Sequence, residues 1–448
     1  MSNTFTYPAE PNRPIERPSE EQIRERSPLH ENTLWFTHDP AIYHDPVSGD
    51  YFVYATEGKA LRSSDLITWK QLGKVVPSPS EDAEAWTTSK AIWAPDIVKV
   101  GDEYRLYCSN SKFGSQRSAI FLAVSDKAEG PFEPKGIVVK TDETFPINAI
   151  DANIVEDVKT GKQYMTYGSF WGGIYILELD KETGFAKEEG IGTCLAKRPR
   201  HFDGAIEGPY IIYNPDTEFY YLFVSYGSLN NDYNIRVGRS KSVTGPYLDH
   251  NGREMTDMND DDCTLGYMIS CGYKFDDAKG WMGPGHNSVL HDVDGKWYLV
   301  NHIRPHNFKI GDISTMHIRQ ILWSEDGWPL ASPEIYTGEQ IQPVSEDMIP
   351  GVYEKITLAP TVPQGISTSV KLELFPGGKM SCFCIRGSWE LIDPYTLKIT
   401  YASHTELLKI LPVWDYENWK PTLAFTGINE NHICVWGKKK FSFEPPKA

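Results

Sequence analysis

The sequence predicts an all-β protein: a five-bladed β-propeller followed by a small β-sandwich or barrel. Three observations carry this. A short acid-led β run opens at Asp39, Asp96, Asp151 and Glu207, in steps of 57, 55 and 56 residues. Each run meets a turn and then an aromatic strand, at residues 51–54, 104–107, 164–167 and 220–223. After Gln342-Pro343-Val344 the recurrence stops, while period-two alternation continues to the end of the chain. Repeats of four strands at such a period are propeller blades.

In chain order, residues 1–30 are rich in Pro, Glu and Arg and read as a wrapping arm, with a short capped helix over 19–26. Residues 31–345 read as the propeller. Turn-formers such as Pro46-Val47-Ser48-Gly49 and Asn214-Pro215-Asp216 fall between β-rich runs, as hairpins require. A fifth copy of the recurring stretch replaces the acid with His286, 79 residues after Glu207, and is followed by Trp297-Tyr298-Leu299-Val300. The extra length includes the acidic run 257–262, which lacks EF-hand spacing and reads as a solvated loop. Residues 346–448 read as the small all-β domain.

With 448 residues the chain exceeds one compact core. Thirteen Trp and 24 Tyr suit β-structure or a sugar-binding surface. A net charge of −17 argues against nucleic acid or an anionic membrane as partner. Seven cysteines, with no C-x-x-C pair, read as free thiols of a reducing compartment. The N-terminus lacks a basic-then-apolar leader, and no apolar run would span a bilayer. Together these predict a soluble, cytoplasmic protein. Oligomeric state is not readable.

If each run is the innermost strand of a blade, five ionisable groups converge on one end of the central axis. Glycosidic hydrolysis needs two carboxyl groups flanking the bond, one to protonate the leaving oxygen and one to activate water or attack. A third carboxylate beside the acid would raise its pKa by repulsion. The residues supply candidates for all three without assigning roles. Asp96 suits either substrate binding or bracing of its blade. Trp93, Phe113 (with Gly114) and Trp171 sit at strand ends, where a flat ring can stack on a sugar. His38, Asn148 and Ser169 can bind hydroxyls.

The phrases His38-Asp39-Pro40, Ile92-Trp93-Ala94-Pro95-Asp96, Phe113-Gly114-Ser115, Asn148-Ala149-Ile150-Asp151, Gly168-Ser169-Phe170-Trp171, Ile206-Glu207-Gly208-Pro209-Tyr210 and Gly283-Pro284-Gly285-His286-Asn287 occur in order across residues 35–340. In these phrases the chain resembles the two-domain arabinanases of glycoside hydrolase family 43. The resemblance implies an inverting mechanism with Asp39 as base, Glu207 as acid and Asp151 as modulator. In an inverting enzyme acid and base stand about 6.5–9.5 Å apart. It also implies a calcium ion in the channel, held by His286, with His302 as alternative. The implied substrate is arabinan or arabino-oligosaccharide with α-1,5-L-arabinofuranosidic bonds; a cytoplasmic address favours the oligosaccharides. Two alternatives stand beside this: an exo-acting α-L-arabinofuranosidase or β-xylosidase, and a non-catalytic glycan-binding propeller. The chain departs from many relatives in Gly208, where they carry Ala, and in the expanded loop 275–280, expected to narrow one end of the groove.

Overall fold

A computed structural model describes residues 5–11, 21, 34–276, 278–306, 314–361 and 366–440. Five sheets surround an axis. Blade 1 is β1 (Ala41–His44), β2 (Tyr51–Ala55), β3 (Lys59–Ser63) and β4 (Lys70–Lys74). Blade 2 is β5 (Pro95–Val100), β6 (Glu103–Asn110), β7 (Ser118–Ser125) and β8 (Glu133–Thr141). Blade 3 is β9 (Asn153–Glu156), β10 (Gln163–Tyr167), β11 (Ile174–Leu179) and β12 (Thr193–Ala196). Blade 4 is β13 (Ile206–Asn214), β14 (Phe219–Tyr226), β15 (Asn234–Ser240) and β16 (Tyr267–Ser270). Blade 5 holds β17 (Tyr273–Lys274), β18 (Trp281–His291), β19 (Trp297–Pro305), β20 (Thr315–Trp323) and β21 (Pro329–Ala331). The aromatic runs are the second strands, each antiparallel to its acid-led or histidine-led neighbour.

The blades are glued by the faces their period-two pattern turns inward. Phe52 and Tyr54 meet Ile97, Leu106 and Phe121 between blades 1 and 2. Leu34, Ile42 and Val53 meet Leu290, Val300 and Ile318 between blades 1 and 5, closing the ring. The chain entering blade 1 also pairs with blade 5, Trp35 opposite Thr315.

The second domain resolves the sandwich-or-barrel alternative as a closed barrel of eight strands. They are β22 (Gly351–Leu358), β24 (Val370–Phe375), β25 (Lys379–Cys382), β26 (Ile385–Asp393), β27 (Thr396–Tyr401), β28 (His404–Asp415), β29 (Lys420–Asn429) and β30 (Cys434–Lys440), with β22 paired to β30. Closure removes the free edges a sandwich would leave. β23 (Ser367–Thr368) leaves the barrel and pairs in parallel with β17 of blade 5. Ile356, Leu358 and Trp436 on the barrel exterior share one apolar cluster with Tyr273, Ile303 and Trp328 of the propeller.

Four details differ from, or lie beyond, the sequence reading. A helix, α1 (Glu81–Thr87), interrupts the strand-and-turn pattern, with acids in its first turn and Thr88 in the left-handed conformation behind it. The acidic run is braced by Arg253, which reaches Asp257 and Asp260 at 3.2 and 3.3 Å. The loop at 275–280, expected to narrow the groove, is instead tied to the barrel: Asp276 donates its N–H to Ser369 Oγ at 2.8 Å. Beyond Glu21, the helix expected over 19–26 lies outside the described residues. The described part of the arm lies on the barrel, Phe5 and Tyr7 against its core and Glu10 accepting from Trp419 Nε1 at 2.7 Å.

Candidate active site

The inner strands all start at the same mouth of the channel, so the residues at their N-terminal ends meet there. Asp39 and Asp151 each stand two residues before a strand, Glu207 is the second residue of β13, and His286 lies within β18. Asp39, Asp151 and His286 have φ of 53, 63 and 45°, the left-handed region that non-glycine residues enter only when surroundings hold them there. Gly208 shares this conformation at 55°; a Cβ on it would stand 3.1 Å from His286 Cα and 3.2 Å from its ring. Glycine therefore lets blade 4 close onto His286.

His286 is the hub. Its Nδ1 lies 3.2 Å from Asp39 Oδ1 and 3.9 Å from Asp151 Oδ2. Asp39 is further held by Thr56 Oγ1, which donates to Oδ2 at 2.5 Å, and has His38 Nε2 at 3.4 Å from Oδ1. Asp151 takes the N–H of Gly208 at 3.1 Å and donates its own N–H to Ser109 Oγ at 2.9 Å. Glu207 is gripped at both oxygens: Ser169 Oγ donates at 2.7 Å and Tyr233 Oη at 2.8 Å.

The carboxyl groups are pushed in opposite directions. Burial alone would raise Asp39, but His286 and His38 outweigh it and hold this carboxyl well below its usual range. Burial raises Asp151, to about 8, with Glu207 and Asp39 adding repulsion against the pull of His286. Burial also raises Glu207, against the hydrogen bonds from Ser169 and Tyr233. Around neutral pH the arrangement therefore holds one ionised carboxylate, Asp39, facing a pair, Asp151 and Glu207, that retains a proton.

Asp96 is directed into blade 3. Its Oδ2 accepts from Ile154 N–H at 2.6 Å and Asn153 Nδ2 at 3.0 Å, and burial raises it to about 7. Its contacts are those of the bracing alternative. Phe113 is 92% exposed, on the β6–β7 loop beside Gly114, and Trp171 is 43% exposed on the β10–β11 loop. Both loops return to the same mouth as the carboxylates, so both rings stand at its rim. Trp93 is half-buried in front of β5, its N–H donated to Ser109 O at 2.8 Å. Asn148 is buried, with no hydrogen-bond partner for Oδ1 among the described residues. Sequence reasoning missed Thr56, Ser109 and Tyr233. They lie at second-strand ends or on a β14–β15 loop, and only the antiparallel return of those strands brings them to the mouth.

The histidines differ in what they offer a cation. Asp39 N–H donates to His302 Nδ1 at 3.2 Å, and burial holds His302 neutral, so its proton sits on Nε2. A nitrogen carrying a proton is no ligand. His286 is turned the other way: Nδ1 faces Asp39 and Asp151, and against burial their charges raise its pKa, while Nε2 points away from them. A carboxylate behind an imidazole is the usual arrangement around a metal; the described side chains at this mouth whose ligand atoms stand close enough together to share an ion are His38, Asp39 and His302.

The chain is a glycosidase, a five-bladed propeller that brings three carboxyl groups to one mouth. The match to Glycosyl hydrolases family 43 covers residues 33–329, and a C-terminal lipocalin-like domain matches 333–437; the chain belongs to that family. It is 33% identical over 447 residues to an extracellular endo-α-(1→5)-L-arabinanase of Thermotoga petrophila, covering 89% of this chain and 93% of that protein. It is 33% identical over 443 residues to extracellular endo-α-(1→5)-L-arabinanase 2 of Bacillus subtilis, covering 90% and 92%. The solved endo-1,5-α-L-arabinanase from Thermotoga petrophila RKU-1, in complex with TRIS, superposes with a TM-score of 0.82 at 30% identity, over 93% of this chain and all of that one.

These relatives correct the cytoplasmic expectation. Both curated relatives are named extracellular enzymes, which points to secretion. Free thiols do not fix the compartment: Cys108, Cys271 and Cys434 are buried, Cys194, Cys263 and Cys382 half-buried, and Cys384 exposed. Among the described residues no helix is long and apolar enough to cross a membrane.

Proposed function

We propose that the protein hydrolyses α-1,5-L-arabinofuranosidic bonds of arabinan with inversion, using Glu207 as general acid, Asp39 as general base and Asp151 as the group that keeps Glu207 protonated. One observation carries the reading: a single imidazole nitrogen, His286 Nδ1, stands within 4 Å of both Asp39 and Asp151, and Glu207 is clamped one residue from the glycine that packs on that imidazole. Asp39, ionised, takes a proton from water as it attacks the anomeric carbon. Glu207, protonated, gives its proton to the departing glycosidic oxygen. Thr56 fixes the orientation of the base; Ser169 and Tyr233 fix that of the acid. Phe113 and Trp171 offer rim surfaces for sugar faces, and His38 and Asn148 offer polar atoms to hydroxyls.

We also assign His286 Nε2 to a calcium ion. Such an ion, when bound, would supply positive charge at the channel mouth. One imidazole is a sparse shell for a hard cation, so water completes it. An extracellular address makes the polymer accessible and removes the reason for preferring imported oligosaccharides.

The test is hydrolysis of linear 1,5-arabinan followed by proton NMR of the first-formed sugar. The expected product is the inverted β-anomer, with Asp39→Ala and Glu207→Ala each lowering kcat by about 10²–10⁴ while the far-UV spectrum is kept. A retained α-anomer, or wild-type turnover in both variants, removes the reading.

A further inference from the structure

β18 stands taller than the other inner strands. It begins at Trp281, five residues before His286, whereas β13 begins one residue before Glu207. β18 is bulged here, pairing Gly285 with His302 and Trp281 with Pro305, so at roughly 3.3 Å per residue of β19 the wall rises about 10 Å above Gly285. β19 rises with it, Pro305 opposite Trp281. The barrel is seated against this wall, and between the two domains lies a cavity of about 320 Å3.

The cavity has two kinds of lining. Trp35 and Trp281 supply aromatic surface, their rings 6.3 Å apart and tilted by 32°, and Tyr416 joins them from the β28–β29 turn. Glu334 of the propeller and Glu417 of the barrel supply carboxylates. Behind them Lys438 donates to Glu334 at 2.7 Å, to Asp415 at 2.9 Å and to Glu417. An ammonium has three N–H bonds, so these contacts use all of them. The carboxyl oxygens keep spare lone pairs with which to accept.

These facts select a ligand. Lys438 among three carboxyl groups, one of them raised, and Lys279 also in the lining leave little net charge to attract an anion, and the ammonium already stands where a cation would bind. A molecule that donates hydroxyl hydrogens and presents an apolar face satisfies both linings, and that is a neutral sugar. The cavity volume is at the low end of small-molecule sites, enough for one or two sugar rings.

We propose that this seam is a second glycan site, binding arabinosyl units of the chain whose scissile bond lies in the propeller mouth. The barrel thereby shares the substrate with the propeller. The proposal rests on the arabinan-hydrolase reading above. A trisaccharide astride the carboxylates has at most two units on either side of the scissile bond, so the seam contributes less to it than to the polymer.

The test compares linear arabinan with arabinotriose for the full chain, Trp281→Ala and Tyr416→Ala. The expected result is a rise of about fivefold in KM for arabinan, with kcat within twofold, and a smaller change in KM for the triose. Thermal melting accompanies each variant; should Trp281→Ala lose its fold, Tyr416→Ala on the turn carries the comparison. An unmoved KM for arabinan in Tyr416→Ala, or an equal rise for the triose, overturns the seam while leaving the hydrolase reading intact. A wild type that releases no sugar from arabinan overturns the hydrolase reading itself, and the seam with it.

Discussion

Tyr233 Oη donates to Glu207 Oε1 at 2.8 Å, while its ring lies flat to His302 at 5.8 Å. Gly285 makes this possible: a Cβ there would stand 2.0 Å from the Tyr233 ring. A hydroxyl that donates to a carboxylate favours the ionised form, so Tyr233 opposes the burial that keeps Glu207 protonated. Tyr233→Phe removes that opposition and raises the Glu207 pKa further. The acid must be protonated to work, so activity falls as pH rises through that pKa. The basic limb of the kcat/KM profile therefore moves to higher pH in Tyr233→Phe. The plateau drops roughly three- to tenfold from lost orientation, the worth of one ordinary hydrogen bond. A pH–rate profile of both proteins checks this.

Thr56 plays the corresponding part for the base, donating to Asp39 Oδ2. Thr56→Val keeps the branched shape and loses the donor. Asp39 stays ionised through His286 and His38, so the acidic limb moves little, yet the carboxylate gains freedom to rotate. The expected outcome is a fall in kcat of about tenfold with KM nearly unchanged, the pattern of a contact needed in the transition state. Steady-state kinetics on linear arabinan measure it.

Gly208→Ala tests the closeness of blade 4 to the hub. The left-handed φ costs an alanine about 1–2 kcal/mol, and its methyl would press on His286. Stability should fall by about that amount in chemical denaturation. Displacement of His286 should lower kcat further than the stability loss explains, because misplacements of about 1 Å cost up to 10²-fold. The same geometry shows how a single glycine in an otherwise matching phrase can be accommodated.

Most of the fold was legible because blades repeat. Each inner strand announces itself by an acid or histidine before a β run, and each second strand by its aromatics, so Asp39, Asp151, Glu207 and His286 could be placed at one mouth from spacing alone. What was not legible depends on three-dimensional return. Tyr233 and Thr56 sit in no phrase; they reach the site because β14 and β2 run back to the mouth. Asp96 shares the spacing of its fellows, yet its side chain turns into the next blade to receive Ile154 and Asn153. The 275–280 loop reads as an insertion near the groove, but β17 and β23 commit it to the barrel.

Chelation tests the assignment of His286. Dialysis against a chelator should lower kcat on arabinan several-fold, and added calcium should restore it. In His286→Ala the metal content by mass spectrometry should fall to background, and calcium should no longer change activity. His302→Ala should keep its metal, because its available nitrogen is already spent on Asp39 N–H. Metal retained in His286→Ala and lost in His302→Ala would reverse the assignment.

Lys438 holds the two domains together electrostatically. It is buried and faces Glu334 from the propeller with Asp415 and Glu417 from the barrel. Burial would lower this lysine, but the three carboxylates raise it well above its ordinary range, and in return it holds Asp415 low. Burial and the neighbouring carboxylates leave Glu334 raised. Lys438→Met keeps much of the stem and removes the charge, leaving carboxylates buried without a counter-ion, at a cost of about 3–5 kcal/mol. The sign of its pH dependence follows. In the variant the folded carboxyls bind protons more readily than the unfolded ones, so folding is favoured as pH falls and the deficit grows as pH rises. In the wild type the lowered Asp415 gives stability that is present above the ordinary aspartate pKa and lost as pH falls through its lowered value. Urea denaturation at pH 5 and pH 8 should therefore show a smaller gap between wild type and Lys438→Met at the lower pH; a gap that widens on acidification would mean the lysine is not what neutralises this seam.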